Sequence, residues 1–386
     1  MAHSQGHCDP RFESVRQLFD QHLASGNECG ASLCVNIDGT TVVDLWGGHA
    51  DVARTKPWTE NTIVPVWSSS KCITNLAALL LVDRGLLDPY ARVSQYWPEF
   101  AANGKENVEV RHFLSHTAGV PAWEPPVTTD DIYNVPLATQ RLAAQAPWWT
   151  PGTASGYHMI SQGHLVGELV RRVSGKSLSQ FIRDELAGPL NADFQLGAVE
   201  KDWPRIAEII PPGAPPVLDT PPDPNSIMLR TVRGSCVKAE DSMTPAFRKT
   251  ELGASNGISN ARATNRILSM ITLGGVVDGQ RFLSPETIDL IFREQSNGPD
   301  LVLGKHTRFG IGYALPAPNE AGWIPDGKVC FWGGWGGSIM IMDLDHKMTL
   351  TYAMNRMANG TMGNDRTQAY GREIYAVLSR LSSSSL

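Results

Sequence analysis

The chain has 386 residues, of which 42% are hydrophobic and only 19% charged, and 33 Lys and Arg stand against 39 Asp and Glu for a net charge of -6. That length supports one large core or two smaller ones. The mild acidic balance leaves no electrostatic footprint for nucleic acid or an anionic membrane, so a small-molecule ligand is expected and neither of those partners is.

At the N-terminus, MAHSQGHCDPRFESV has no basic stretch leading into an apolar run, so no secretory signal is expected there. Residues 12–23 then space Phe12, Val15, Leu18, Phe19 and Leu23 at helical intervals. Residues 31–37 and 41–46 read as strands of a hairpin turning at Asp38-Gly39. A short strand at 63–66 leads into a helix over residues 69–87, whose apolar run 76–82 is too short to span a bilayer.

Further helices are predicted over 166–173, 177–186 and 262–272. Between 204 and 224 the stretch PRIAEIIPPGAPPVLDTPPDP reads as a long loop, a lid or a mobile connector. Strands follow at 309–315, 329–332, 338–343 and 348–354, and a final helix over 367–381. Strands at both ends with helices between predict an α+β fold. Residues 1–62 and 250–386 would form a sheet domain, and 63–249 an inserted, mostly helical domain with the active site at the interface.

Cys8, Cys29, Cys34, Cys72, Cys236 and Cys330 are scattered without CxxC spacing, which reads as reduced thiols in the cytoplasm rather than disulfides or a zinc site. The tail Ser384-Ser385-Leu386 loosely resembles a peroxisomal address but lacks its basic middle residue, so a plain serine tail is the simpler reading.

The chemistry points to Ser68-Ser69-Ser70-Lys71. At spacing i, i+3, Ser68 and Lys71 share one helix face. A serine hydroxyl needs a neighbour to accept its proton, and a lysine desolvated near a helix N-terminus is biased toward the neutral amine that can do so. Taken alone, the same residues also read as an N-cap serine cluster followed by a solvated lysine.

Other segments supply company. IVPVWSSSKCITNLAALLLVDRGLLD (residues 63–88) resembles the nucleophile helix of the β-lactamase and penicillin-binding-protein superfamily. VRHFLSHTAGV (110–120) is similar to that family's leucine-serine-histidine-threonine segment. PGTASGY (151–157) resembles the approach to its catalytic tyrosine, and FWGGWGGS (331–338) falls where its late triplet belongs. The resemblance runs over about residues 15–380 in the right order, and is strongest to the carboxylesterases and acyltransferases of the class C β-lactamase-like branch.

That resemblance implies Ser68 as nucleophile, Tyr157 as general base with its pKa lowered by the Lys71 charge, and the backbone amides of Ser68 and Trp335 as oxyanion donors. Trp332, Gly333, Gly334, Trp123, Trp148, Trp149, His158 and Met159 are expected around the substrate, and no cofactor or metal is. Two departures from the lactamase pattern set the substrate class. Met159 replaces an asparagine that could hold a β-lactam side-chain amide, and Trp332-Gly333-Gly334 replaces Lys-Thr-Gly, removing the cation for a β-lactam carboxylate.

A small-molecule ester hydrolase is therefore expected. The alternative is an acyltransferase, with an acyl carrier protein as one conceivable donor; a lactamase, a peptidase or a non-catalytic binder fits less well. Gly253-Ala254-Ser255-Asn256-Gly257 matches the nucleophile elbow of α/β-hydrolases, with Asp345 and His346 downstream, but no buried parallel strand precedes it. His112 and His116 have zinc-like spacing without a third ligand, and read as structural.

Overall fold

The computed structural model describes residues 3–214, 223–317 and 322–383. The serine tail at 384–386 and the middle of the proline-rich stretch lie outside the described residues.

Six strands form one antiparallel sheet drawn from both ends of the chain. These are β1 (Gln5–Cys8), β2 (Gly30–Ile37), β3 (Thr40–Gly48), β4 (Val329–Gly333), β5 (Ile339–Asp343) and β6 (Met348–Met354), in the order β1-β3-β2-β6-β5-β4. The β2–β3 turn forms at Asp38-Gly39, where φ is +47° and +84°, the positive values a type I′ hairpin requires. The β2–β6 pairing, Leu33 opposite Tyr352 and Val35 opposite Leu350, joins the N-terminal hairpin to the C-terminal meander. β4, β5 and β6 are buried at every residue, which is why β4 and β5 read as near-continuous apolar runs, while Thr349 and Thr351 of β6 bury their hydroxyls against Thr272 and the Ala261 carbonyl.

The helices that matter here are α1 (Glu13–Ser25), α2 (Ser70–Asp83), α3 (Ser161–Ser174), α4 (Ile227–Ser235), α5 (Ala261–Thr272) and α6 (Asp365–Ser383). α5 packs across β2, β5 and β6, and α1 pairs with α6. Val15, Phe19 and Leu23, four residues apart on α1, form its buried stripe, with Phe19 against Tyr370 of α6. α2 is buried from Ser70 to Leu81 and is therefore enclosed on all sides, with α3, α5 and β4 among its neighbours. A buried ion pair locks the chain's two ends together: Arg366 donates to Glu28 at 2.9 Å, and the hydroxyls of Tyr352 and Tyr370 donate to the same carboxylate.

Three expectations need correction. The strand at 309–315 is instead His306–Phe309 paired with Ser296–Pro299, after which a turn at Gly310 brings Ala314 beside Phe331. A Cβ on Gly310 would lie 1.8 Å from the Ile291 carbonyl oxygen, so no side chain fits there. The helix at 177–186 is α-helical over Leu178–Ile182 and widens into a π turn over Arg183–Ala187. The proline-rich stretch is not a free loop at its start, because Ala207, Glu208 and Ile210 donate to the carbonyls of Ile63, Ala50 and Asn355.

Candidate active site

The three serines before Lys71 each do something different, and none caps α2 with its side chain. Trp67–Ser69 is a single 3-10 turn entered through Trp67 at φ +51°, a strained value for a bulky residue that swings the chain sharply into α2. Ser69 Oγ lies 3.1 Å from Ser338 Oγ, and Ser338 in turn donates to the Val66 carbonyl at 2.8 Å. Ser70 donates to the Trp67 carbonyl and accepts from the Gly257 amide at 2.8 Å. Ser68 is left to face a cavity of about 250 Å³.

Lys71 is 1% exposed, and its Nζ lies 3.2 Å from Ser68 Oγ. It also donates to the carbonyls of Met159 at 2.7 Å and Ala254 at 3.0 Å. The second contact exists because α3 meets residues 253–254 backbone to backbone: a Cβ on Gly163 would sit 2.2 Å from the Ala254 nitrogen. Burial holds the Lys71 pKa well below the usual lysine range. With two amine hydrogens on carbonyls, the remaining direction of a neutral Nζ is toward Ser68.

Tyr157, 1% exposed, completes the group, with its hydroxyl close to Ser68 and accepting from Trp332 Nε1 at 3.2 Å. Its backbone is fixed by Asp300, whose Oδ1 accepts from the amides of Tyr157, Val302 and Leu303 at 3.0, 2.9 and 2.8 Å. Burial raises the Tyr157 pKa above the usual phenol value, with the Ser68 and Trp332 hydrogen bonds opposing that rise. The expectation of a phenol pKa lowered by a charged Lys71 is therefore corrected. Both groups are desolvated, so both favour their neutral forms, amine and phenol.

The Trp332-Gly333-Gly334 segment reaches the site through close backbone contact. A Cβ on Gly334 would lie 2.4 Å from the Val66 carbonyl oxygen, and one on Gly333 2.6 Å from that of Thr361. This approach sets Trp335 beside the cavity, its ring edge-on to Trp67 at 5.3 Å.

A model of the beta-lactamase family matches residues 15–372. The chain belongs to the beta-lactamase family. It is 33% identical to "Esterase/beta-lactamase LipL" of Mycobacterium tuberculosis, over 95% of this chain and 86% of that protein. A crystal structure of a family VIII carboxylesterase superposes with TM-score 0.90 at 34% identity, covering 97% of this chain and 99% of that one. A penicillin-binding-protein homologue from Caulobacter crescentus gives 0.90 at 32% identity over the same shares.

Within this beta-lactamase-family frame, Met159 and Trp335 line the cavity. Trp332 stands behind Tyr157, its ring centroid 5.0 Å away. Trp123, Trp148, Trp149 and His158 are corrections. Trp123 is a core residue whose Nε1 donates to Ala138, and its carbonyl packs so tightly on α4 that a Cβ on Gly234 would lie 2.2 Å away. Trp148 is covered by the guanidinium of Arg230, also on α4, at 4.1 Å. Trp149 packs on Gly156, and His158 bonds back to the Gly156 carbonyl and on to His116, so these two shape the Tyr157 loop from behind. The tryptophans expected to touch substrate instead grip the elements that carry the site.

The remaining motifs settle accordingly. Ser255 is not on a strand-helix elbow; it follows Ala254 on the cavity wall. His346 pairs with Asp343 at 2.9 Å in the β5–β6 turn. His112 accepts from the Glu109 amide, and His116 packs edge-on to Tyr157 at 4.9 Å. Among the described residues no group of three or more His, Cys, Asp or Glu is arranged to hold a metal.

Sequence reasoning missed Asp300, Ser338 and the cavity wall formed by Val232, Ser235, Cys236 and Val237. The amphipathic run IMLRTVRGS, with Ser226 as N-cap, was the available signal for α4.

Proposed function

We propose that the protein is a serine-dependent carboxylic ester hydrolase that works through an acyl-enzyme on a small-molecule ester. The observation that carries this reading is Ser68 Oγ held between Lys71 Nζ and the Tyr157 hydroxyl beside a small, mainly apolar cavity. The esterase relative and the carboxylesterase structure support it.

In the proposed reaction, Ser68 Oγ attacks the ester carbonyl while neutral Lys71 takes its proton. The amides of Ser68 and Trp335 hold the developing oxyanion; helix-start amides such as that of Ser68 have no intrahelical partner. Tyr157 hands its phenol proton to the departing alkoxide and recovers one from the Lys71 ammonium. Water then attacks the acyl-Ser68 ester, losing a proton to Lys71; the Lys71–Tyr157 pair delivers a proton to the departing Ser68 Oγ, and the carboxylic acid is released.

None of the residues lining the cavity is cationic, which suits a neutral ester better than the carboxylate of a β-lactam. Transfer of the acyl group to an alcohol, or loading from an acyl carrier protein, would use the same three residues. The six unpaired cysteines suit a reducing compartment such as the cytoplasm. Among the described residues no helix is long and apolar enough to cross a membrane.

The test compares wild type and Ser68→Ala on a chromogenic short-chain ester and a chromogenic cephalosporin, with and without added alcohol. Ester turnover lost in the variant supports the reading. Fast cephalosporin turnover without ester turnover overturns it, and acceleration by alcohol with an ester product replaces hydrolysis by transfer.

A further inference from the structure

The Leu114-Ser115-His116-Thr117 segment supplies no group to the proposed reaction, yet the loop carrying Tyr157 is laid along it. The amides of Trp148, Gly152 and Gly156 donate to the carbonyls of Gly119, Thr117 and His116 at 2.7, 2.8 and 2.9 Å. Around the phenol, consecutive amides are each fixed. Gly156 donates to the His116 carbonyl, Tyr157 to Asp300 at 3.0 Å, and His158 to His116 Nδ1 at 3.2 Å. One residue therefore holds both neighbours of Tyr157.

His116 does this from an uncommon backbone conformation. At φ +60° it lies in the left-handed region, where His, Asn and Asp are enriched over other side chains, and from there its carbonyl and its ring both reach the same loop. Such a conformation persists only where the surroundings over-determine it. The residue is 3% exposed, and its ring packs against Tyr157 at 4.9 Å, Phe309 at 5.0 Å and Trp332 at 5.8 Å. To accept from an amide, Nδ1 must keep its lone pair, so the imidazole is neutral with its hydrogen on Nε2. Burial first, then the neighbouring His158 and Lys71, hold its pKa well below the usual imidazole range, so that form persists.

We propose that His116 is a positioning residue for ester hydrolysis: its carbonyl and Nδ1 clamp the amides on either side of Tyr157, and its ring backs the phenol, keeping the hydroxyl where it can exchange protons with the Ser68 and Lys71 pair. This rests on the ester-hydrolase reading above. His116 acts through Tyr157 and takes no proton itself. The essential part is the acceptor, because without it the buried His158 amide is stranded and the loop must shift to satisfy it. A displacement of about 1 Å at a reacting group costs about 100-fold in rate.

The experiment compares wild type, His116→Phe and His116→Asn on 4-nitrophenyl butyrate, with kcat counted per active site titrated by a Ser68-directed phosphonate. Phenylalanine keeps a ring and removes the acceptor; asparagine loses the ring, accepts through Oδ1 and tolerates the left-handed backbone. In His116→Phe kcat is expected to fall about 10- to 100-fold with KM little changed, and His116→Asn to recover most of that loss. An unchanged kcat per site in His116→Phe, or a loss in His116→Asn at least as great, overturns the proposal. Phenylalanine is costly at positive φ, so folding is followed by circular dichroism. Should His116→Phe fail to fold, His116→Gly takes its place: like asparagine it tolerates positive φ and lacks the ring, and it differs in having no acceptor. If wild type hydrolyses no ester, the hydrolase reading fails on its own account, and amide hydrogen exchange at His158 decides the clamp. Exchange faster in His116→Gly than in His116→Asn upholds it, and equal rates in the two variants overturn it.

Discussion

The indole Nε1 of Trp332 donates to the Tyr157 hydroxyl at 3.2 Å. Indole is a donor only, so the phenol oxygen accepts from Trp332 and its own proton is free to point at Ser68. The tryptophan that stands where lactamases carry the lysine of their late triplet thus orients the proposed acid instead of binding a substrate carboxylate. Trp332→Phe keeps the ring and removes the donor. We expect kcat to fall about tenfold, the equivalent of one lost hydrogen bond, with KM for a short ester little changed. Steady-state kinetics check this; an unaltered kcat contradicts it.

Lys71 must be uncharged to accept the Ser68 proton, and burial depresses its pKa. Activity is therefore present above that depressed pKa and lost as pH falls through it. The value of kcat/KM should reach its plateau below the range in which a free lysine, with its pKa of about 10.4, gives up its proton. Lys71→Arg, which cannot lose its proton, should abolish turnover at every pH in the range. A pH profile that instead rises only near the ordinary lysine range contradicts the neutral amine.

Asp300 bears on Ser68 through the Tyr157 backbone it anchors. Asp300→Ala should lower kcat by up to about 100-fold through misplacement of the phenol, with Asp300→Asn recovering part of it because the amide oxygen still accepts. A purely structural role would lower the amount of folded protein and leave kcat per folded molecule, measured by active-site titration, untouched.

Four buried histidines make stability depend on acid. Burial lowers His112 and His164 to about 4, His158 to about 3, and His116 well below the usual imidazole range. Between those values and the unfolded value near 6.5 the unfolded chain binds more protons than the folded one, so stability rises with pH across that window and falls on acidification. His164 lies outside the cavity lining, edge-on to Trp123 at 4.8 Å with Nε2 bonded to the Ile132 carbonyl. It alone should contribute on the order of 1–2 kcal/mol of loss between about pH 7 and pH 5. Urea unfolding of His164→Gln at both pH values should show a correspondingly smaller drop.

The ion pair that joins the chain's ends gives a further test. Arg366→Met strands the Glu28 carboxylate among Tyr352 and Tyr370. A cost of about 3–5 kcal/mol is expected, and the double variant with Glu28→Gln should restore part of it. Equal stability of the single and double variants would remove the stranded charge as the cause.

Much of this was legible in the residues. The hairpin at Asp38-Gly39, the apolar periodicity of α1 and α5, and the run that became α2 follow from local rules, so their boundaries fell within a few residues of those observed. The approach of Ser68, Lys71 and Tyr157 was legible only through ordered motifs, because 86 residues separate Lys71 from Tyr157 and no periodicity reports that contact. The pocket was read poorly. Trp123, Trp148 and Trp149 attract attention by size, yet their rings hold α4 and the Tyr157 loop, while the small Ser235, Ser255 and Gly334 touch or shape the cavity. Backbone contacts of the kind Gly163 and Gly334 make depend on three-dimensional packing, and a glycine in a one-dimensional pattern looks the same whether it faces solvent or a carbonyl 2.4 Å from its missing Cβ. The raised pKa of Tyr157 was hidden for the same reason, since its desolvation is a property of the assembled core.

The most direct test of the account is the mass of the protein caught during turnover. After rapid mixing with a chromogenic short-chain ester and acid quench, wild type should gain the mass of one acyl group, mapped by peptide fragmentation to Ser68, and lose it as substrate is exhausted. Ser68→Ala should show neither adduct nor turnover. An adduct on another residue, or undiminished ester hydrolysis by Ser68→Ala, would contradict the assignment of Ser68 as the nucleophile.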